Sequence, residues 1–211
     1  MPALAEFDLQ ALRASKARAL VGIDEVGRGP LAGPVMACAC IIEPEFYPEL
    51  GKINDSKKLS PKKREELFDL LSNSPHVRYG LGEISAAEID RINILQATFA
   101  AMRRAVENLR PPEGAFVLVD GNQKIPRLDF GQEAVVKGDG RSLCIAAASI
   151  LAKVTRDRLL VGMETRYPGY GFARHKGYGT AEHTSALERL GPCPEHRISF
   201  LSLFHFAGAK V

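Results

Sequence analysis

The stretch ALVGIDEVGRGPLAGPVMACACII, residues 19–42, decides the fold. Residues 19–26 are apolar until they meet two acids, Asp24 and Glu25. Gly27, Gly29, Pro30, Gly33 and Pro34 then mark a turn, since glycine admits backbone angles that other residues avoid and proline fixes its own. Residues 35–42 form a second apolar run. Two such runs joined by a Gly/Pro turn predict a β-hairpin that opens a sheet. Cys38 and Cys40, on the second run, read as small buried hydrophobes.

Upstream, residues 1–18 are Ala-rich and read as a short helix or a loose lead-in. Downstream, a loop passes through Pro44 and Pro48. Ser60 then Pro61 predicts a helix start, with the hydroxyl as cap and the proline ring preset for the first helical position. Leu67, Leu70 and Leu71 supply that helix with an apolar face. Residues 77–84 alternate as a strand does. Ser85 and Glu88 have the spacing of a capping box, and the helix they open is predicted to reach Leu109, with a break marked by Asp90, Arg91 and Asn93.

Residues 115–119 are continuously apolar and end at Asp120, which predicts a central strand buried on both faces. A short strand is expected at Val135 and Val136, ending at Lys137, Gly138 and Asp139. Residues 142–166 read as a helix with Ile145, Ile150, Leu151 and Val154 turned inward. A last helix is expected over 180–190. This order of elements predicts an α/β fold in which a mixed sheet is flanked by helices. It forms one domain, 1–211, with a small C-terminal helical and loop extension from about residue 160.

Composition narrows the class. The chain has 211 residues, 45% of them hydrophobic, and a formal net charge of +3, values of an ordinary globular protein able to bury a core. Its four cysteines, Cys38, Cys40, Cys144 and Cys193, form no C-x-x-C pair and no zinc spacing. No run approaches the roughly 20 apolar residues of a membrane span. Charged residues interrupt the N-terminus before any signal-peptide core, so a reducing cytoplasm is the expected location. Lys57, Lys58, Lys62, Lys63 and Arg64 make one basic stretch, and Arg174, His175 and Lys176 a second. Both suit a polyanionic partner, and both also suit plain solvated surface.

Three acidic positions stand where apolar strands stop: Asp24 with Glu25, Asp120, and Asp139. A carboxylate at a buried strand end is costly unless it is paired or binds a metal. Several hard oxygen ligands at one point suit Mg²⁺ or Mn²⁺ and not Zn²⁺. Such ions serve phosphodiester hydrolysis, one activating water and another stabilising the leaving oxygen. Each acid alone also reads as a cap: VDGN around Asp120 is a turn, and Asp139 precedes a helix N-terminus. One stereochemical difficulty remains, because neighbouring strand residues point to opposite faces. Asp24 and Glu25 reach one site only through a bulge or a strand end. Ser149, Lys153 and Arg156 have helical spacing, and the face shared by Ser149 and Lys153 can hold a phosphate or simply meet solvent.

The segment GIDEVGRGPLAGPV at 22–35 resembles the opening motif of the ribonuclease HII family. So do NDSKKLS at 54–60, LVDGN at 118–122, VVKGD at 135–139, AASILAKVTRD at 147–157 and GYGTAEH at 177–183, in the family's order. The resemblance implies a ribonuclease H-like fold. It implies that Asp24, Glu25, Asp120 and Asp139 are catalytic and hold two Mg²⁺ or Mn²⁺ ions, with Asp24 bridging them. It implies hydrolysis of the RNA strand of RNA/DNA hybrids and cutting 5′ of ribonucleotides embedded in duplex DNA, leaving 3′-hydroxyl and 5′-phosphate ends.

The family's recognition motif corresponds to Gly27, Arg28, Gly29 and Tyr178. Glycines let backbone come close to a sugar, and the 2′-hydroxyl is what separates RNA from DNA. A tight turn also explains the glycines, and half-buried packing also explains the tyrosine. Lys57, Ser149 and Lys153 are the expected phosphate contacts, and the segment beyond about 160 is expected to contribute to substrate binding. A monomer is expected. His183 and His196 receive no catalytic role and are assigned to hydrogen bonding at the metal site or the backbone. The tail after Ser199 departs from the proline-containing ending of many members. The related ribonuclease HIII carries an extra N-terminal domain, for which the residues before Asp24 leave no room. The remaining alternatives are a hybrid-binding module that has lost catalysis and another ribonuclease H-like nuclease.

Overall fold

The computed structural model describes residues 3–51, 53 and 59–202. Helix α1 spans Ala3–Ser15 and leads into the predicted hairpin, strands β1 (Leu20–Val26) and β2 (Val35–Ile42). Then come α2 (Pro61–Asn73), β3 (Val77–Ile84), α3 (Ala86–Ile92), α4 (Ile94–Leu109), β4 (Phe116–Asp120) and β5 (Gly131–Val135). The long α5 (Leu143–Arg166) is followed by α6 (Phe172–His175) and α7 (Ala181–Leu190). The strands form one five-stranded mixed sheet in the order β3-β2-β1-β4-β5. Its first three strands are antiparallel, and β4 and β5 run parallel to β1.

Several local signals act as expected. The Ser60 side chain accepts from the Lys63 amide at the start of α2, and Ser85 and Glu88 complete a reciprocal capping box. The predicted break falls at Asn93, whose φ of 65° ends α3 while its side chain caps α4 by accepting from the Gln96 amide.

The strand expected at residues 135 and 136 lies earlier, at Gly131–Val135. It is an edge strand with alternately exposed residues, so it lacks an apolar run, and Val136 lies beyond it, exposed. The four cysteines are free and buried. Among the described residues no helix is long and apolar enough to cross a membrane.

Helices cover both faces of the sheet. Val21, Ile23, Val117 and Val119 pack with Ala101, Met102 and Ala105 of α4. On the opposite face Leu20, Leu118 and Val135 meet Ile145 of α5. Helix α5 approaches β1 closely at Gly22, where a Cβ would lie 2.2 Å from the Cys144 backbone. Only glycine allows that approach, and it sets the N-terminal half of α5 over the end of β1.

Candidate active site

Asp24 and Asp120 come together because of strand register. The parallel ladder of β1 and β4 runs to the pair Ile23 and Val119, and these two acids follow it. Registered residues of parallel strands point to the same face, here the α5 side. Asp24 is buried, and Ser149 of α5 hydrogen-bonds its carboxylate. Burial first, then the charges of Glu25 and Asp120, push the Asp24 carboxyl well above the usual range.

Glu25 points the other way, yet it reaches the same cavity. The pairing of β1 with β2 is regular through Val26, so no bulge is involved. The strand-end explanation holds, since β1 has no β4 partner beyond Ile23. Burial raises the Glu25 carboxyl, and Arg28, 3.3 Å away, opposes the shift.

Asp120 accepts a 2.6 Å hydrogen bond from the Gly138 amide. Gly138 opens a short 3-10 turn, Gly138–Gly140, that carries Asp139. Asp139 is buried next to this linkage but is not part of the cavity wall.

The cavity measures about 400 Å³. Asp24, Glu25, Gly27, Arg28, Gly29, Asp120, Ser149, Lys153 and Tyr178 line it, joined by Val26 and Arg64. Sequence reading placed Arg64 in a basic stretch but not at a site. Its signal was present, because α2 begins at Pro61 and Arg64 falls on the first turn. Lys153 forms a 2.7 Å ion pair with Asp157 one helical turn on, which leaves two of its three N–H groups for other partners. Lys57 lies outside the described residues.

Arg156 does not share the exposed face suggested by its spacing. It is fully buried and donates to the carbonyls of Ala32, Pro34 and Lys176. Gly27 exists for this packing. Its φ is +89°, and an added Cβ would lie 2.2 Å from Arg156 Nε. Gly29 differs, since a Cβ there would only touch the Tyr178 ring at 3.8 Å.

Tyr178, 44% exposed, presents its ring to this wall while its backbone is fastened behind. The His183 Nδ1 lies 2.9 Å from the Tyr178 carbonyl, which only accepts, so His183 carries its proton there. Neutral His183 then accepts at Nε2 from His196 Nε2, 3.0 Å away. His196 in turn accepts at Nδ1 from the Cys193 amide at 2.9 Å. Burial lowers the pKa of both rings, which keeps them neutral and keeps the chain of donors in one direction.

The donor set is carboxylate oxygen, which suits a hard divalent cation. Among the described residues no three His, Cys, Asp or Glu side chains form a closed ligand cluster. Mg²⁺ does not need one, because it keeps several waters and takes one or two carboxylates together with substrate phosphate. The mutual repulsion of Asp24, Glu25 and Asp120 is what a bound cation would relieve.

Comparison with known proteins agrees with this geometry. A family model described as Ribonuclease HII matches residues 21–207. A ribonuclease HII of Geotalea uraniireducens is 54% identical over 200 residues, 94% of this chain and 89% of the relative. The crystal structure of ribonuclease H2 from Pyrococcus horikoshii superposes with a TM-score of 0.69 at 27% identity, covering 86% of this chain and 93% of the other. Bst-RNase HIII in complex with Mn²⁺ shares the fold alone, with a TM-score of 0.69 at 17% identity over 81% of this chain and 61% of its own. A model match across nearly the whole length and a relative more than half identical leave one assignment: the chain belongs to the ribonuclease HII family of metal-dependent endonucleases.

Proposed function

We propose that this chain hydrolyses the RNA strand of RNA/DNA hybrids and cuts on the 5′ side of ribonucleotides embedded in duplex DNA, leaving 3′-hydroxyl and 5′-phosphate ends. The observation that carries the proposal is the convergence of Asp24 and Asp120 in one cavity with Gly27, Arg28, Gly29 and Tyr178. Acid and recognition groups more than 150 residues apart in sequence share one wall, as a nuclease that reads a sugar beside the scissile phosphate requires.

In this reading Asp24, Glu25, Asp120 and Asp139 would hold the Mg²⁺ or Mn²⁺ ions. When bound, such ions activate the attacking water and neutralise charge on the leaving oxygen. The chain's own residues do the rest. Ser149 orients the Asp24 carboxylate. The Gly138 amide fixes one Asp120 oxygen. Arg64 and Lys153 offer positive charge to the phosphate backbone, which positions a duplex without reading its sequence. Lys57 joins them. Tyr178 packs against the neighbouring deoxyribose, where an additional hydroxyl would crowd its ring.

The whole chain acts as one catalytic unit in this reading. The segment from about 160 onward contributes through Tyr178, and the protein works as a cytoplasmic monomer. The test is cleavage of an end-labelled duplex bearing one ribonucleotide, in Mg²⁺, in Mn²⁺ and in chelator. A single cut 5′ of the ribonucleotide, dependent on metal, is expected. No cut in either metal would defeat the proposal.

A further inference from the structure

Two arginines that reach no solvent lie behind the cavity wall at residues 27–29: Arg156 packs against Gly27, and Arg197 bonds to the wall itself. The hydrogen bonds of both guanidinium groups end on carbonyl oxygens. Arg197 donates from Nη2 to Gly27 at 2.6 Å and from Nη1 to Arg28 at 3.0 Å. It also donates from Nε and Nη2 to Gly33, at 2.9 and 2.8 Å. Two cations buried so close together are unfavourable. Burial first, then the charge of Arg156, bring Arg197 down to about 9. Its bonds to three carbonyls offset that cost, and they also set which way the Gly27 and Arg28 peptides face.

Peptide geometry gives the direction. A trans peptide carries its C=O and N–H on opposite edges. The Gly27 and Arg28 carbonyls point inward to Arg197, so the amides of Arg28 and Gly29, in the same two planes, point outward. Outward is the cavity, which residues 27–29 line and Arg197 does not. Among the described residues neither amide donates to a protein acceptor.

We infer that Arg197 is a positioning residue for ribonucleotide recognition, turning the Arg28 and Gly29 amides into a fixed pair of donors aimed at the 2′-hydroxyl oxygen. The inference rests on the proposed function and adds the residue that orients the reading loop. A planar fork is needed for three carbonyls at once, and lysine, which keeps the charge, does not have one.

The test is steady-state cleavage by Arg197→Lys in Mg²⁺, with the duplex bearing one ribonucleotide as substrate and the all-DNA duplex as competitor. KM for the substrate rises about tenfold, the worth of one or two well-aimed hydrogen bonds. The turnover number and the inhibition constant of the all-DNA duplex both stay within about twofold. An unchanged KM overturns the inference. So does equal weakening of substrate and competitor, which marks a purely structural or phosphate-directed role. Wild-type protein that cuts nothing defeats the proposed function instead.

Amide exchange in the unaltered protein gives a test independent of the folding of any variant. The Arg28 and Gly29 amides exchange rapidly with water when free and become protected on binding the ribonucleotide duplex without metal. Protection of either amide in the free protein also overturns the inference.

Discussion

Asp24 and Asp120 stand next to each other at the ends of parallel strands, one step beyond the last paired residues, Ile23 and Val119. The sheet has brought two carboxyl groups together, Asp24 buried and Asp120 half-buried, and the Asp24 carboxyl is raised by burial and by repulsion from Glu25 and Asp120. Replacing either acid by its amide is expected to cut the cleavage rate by at least about a thousandfold, since metal-assisted charge stabilisation is worth several kcal/mol. Asp24→Asn is also expected to raise the stability of the metal-free protein by about 1 kcal/mol, as relief of a strained functional site does. Denaturant titration alongside the cleavage assay checks both. Normal Mg²⁺-dependent cutting by either variant would remove these acids from the mechanism.

Gly27 and Gly29 sit in one motif but do different things. Gly27→Ala forces a side chain into Arg156 at a φ of +89°. It is expected to lose about 2 kcal/mol or more of stability. At Gly29 the space is open to the Tyr178 ring. Gly29→Ala should keep stability within about 0.5 kcal/mol while slowing cleavage at single ribonucleotides. Equal destabilisation by the two alanines would contradict the division.

The Tyr178 ring is exposed and its backbone is held by His183, so its side chain is expected to matter for substrate rather than for folding. Tyr178→Ala should raise KM for the single-ribonucleotide duplex by about tenfold, on the scale of one aromatic stacking contact, with the melting temperature unchanged. An unaltered rate at limiting substrate would discard that role.

His196 is buried and neutral, its pKa lowered from the usual 6.5 to about 4 by burial and then by His183. Between those values the unfolded chain binds the proton and the folded one does not. The stabilising contribution is therefore fully present above pH 6.5 and is lost as the pH falls toward 4. Relative to His196→Asn, wild type should lose up to about 3 kcal/mol across that window. Parallel stability curves for the two proteins would refute this.

Asp8 on α1 has the opposite slope. Burial raises its carboxyl to about 6, although Ser142 and Cys144 hydrogen-bond it, and one of its oxygens has no partner. Its stabilising contribution is present below pH 3.8 and is lost as the pH rises through 6. Asp8→Asn should therefore gain on wild type by about 3 kcal/mol between pH 4 and pH 7. The two opposed slopes hide each other in the wild-type curve, so only the single variants expose them. Failure of Asp8→Asn to gain over that range would show that the carboxyl titrates normally.

The hairpin 19–42, the cap at Ser60 and the capping box at Ser85 were legible in the sequence because each depends on neighbours a few residues apart. The acids Asp24 and Asp120 were legible for the same reason, since an apolar run that stops at a carboxylate is a local pattern. Strand β5 was legible only at its last residue, Val135, because an edge strand with alternately exposed residues carries no continuous apolar signal. The burial of Arg156 was not legible, because helical spacing tells which residues share a face but not what covers that face. Here the covering is the carbonyls of Ala32, Pro34 and Lys176. Arg197 reaches the Gly27 carbonyl across 170 residues of sequence. Periodicity and capping act within a turn or two of chain, so the sequence by itself determined the elements and the acids that end them. Which side chains go inside, and which backbone groups face the cavity, was decided only when distant segments packed together.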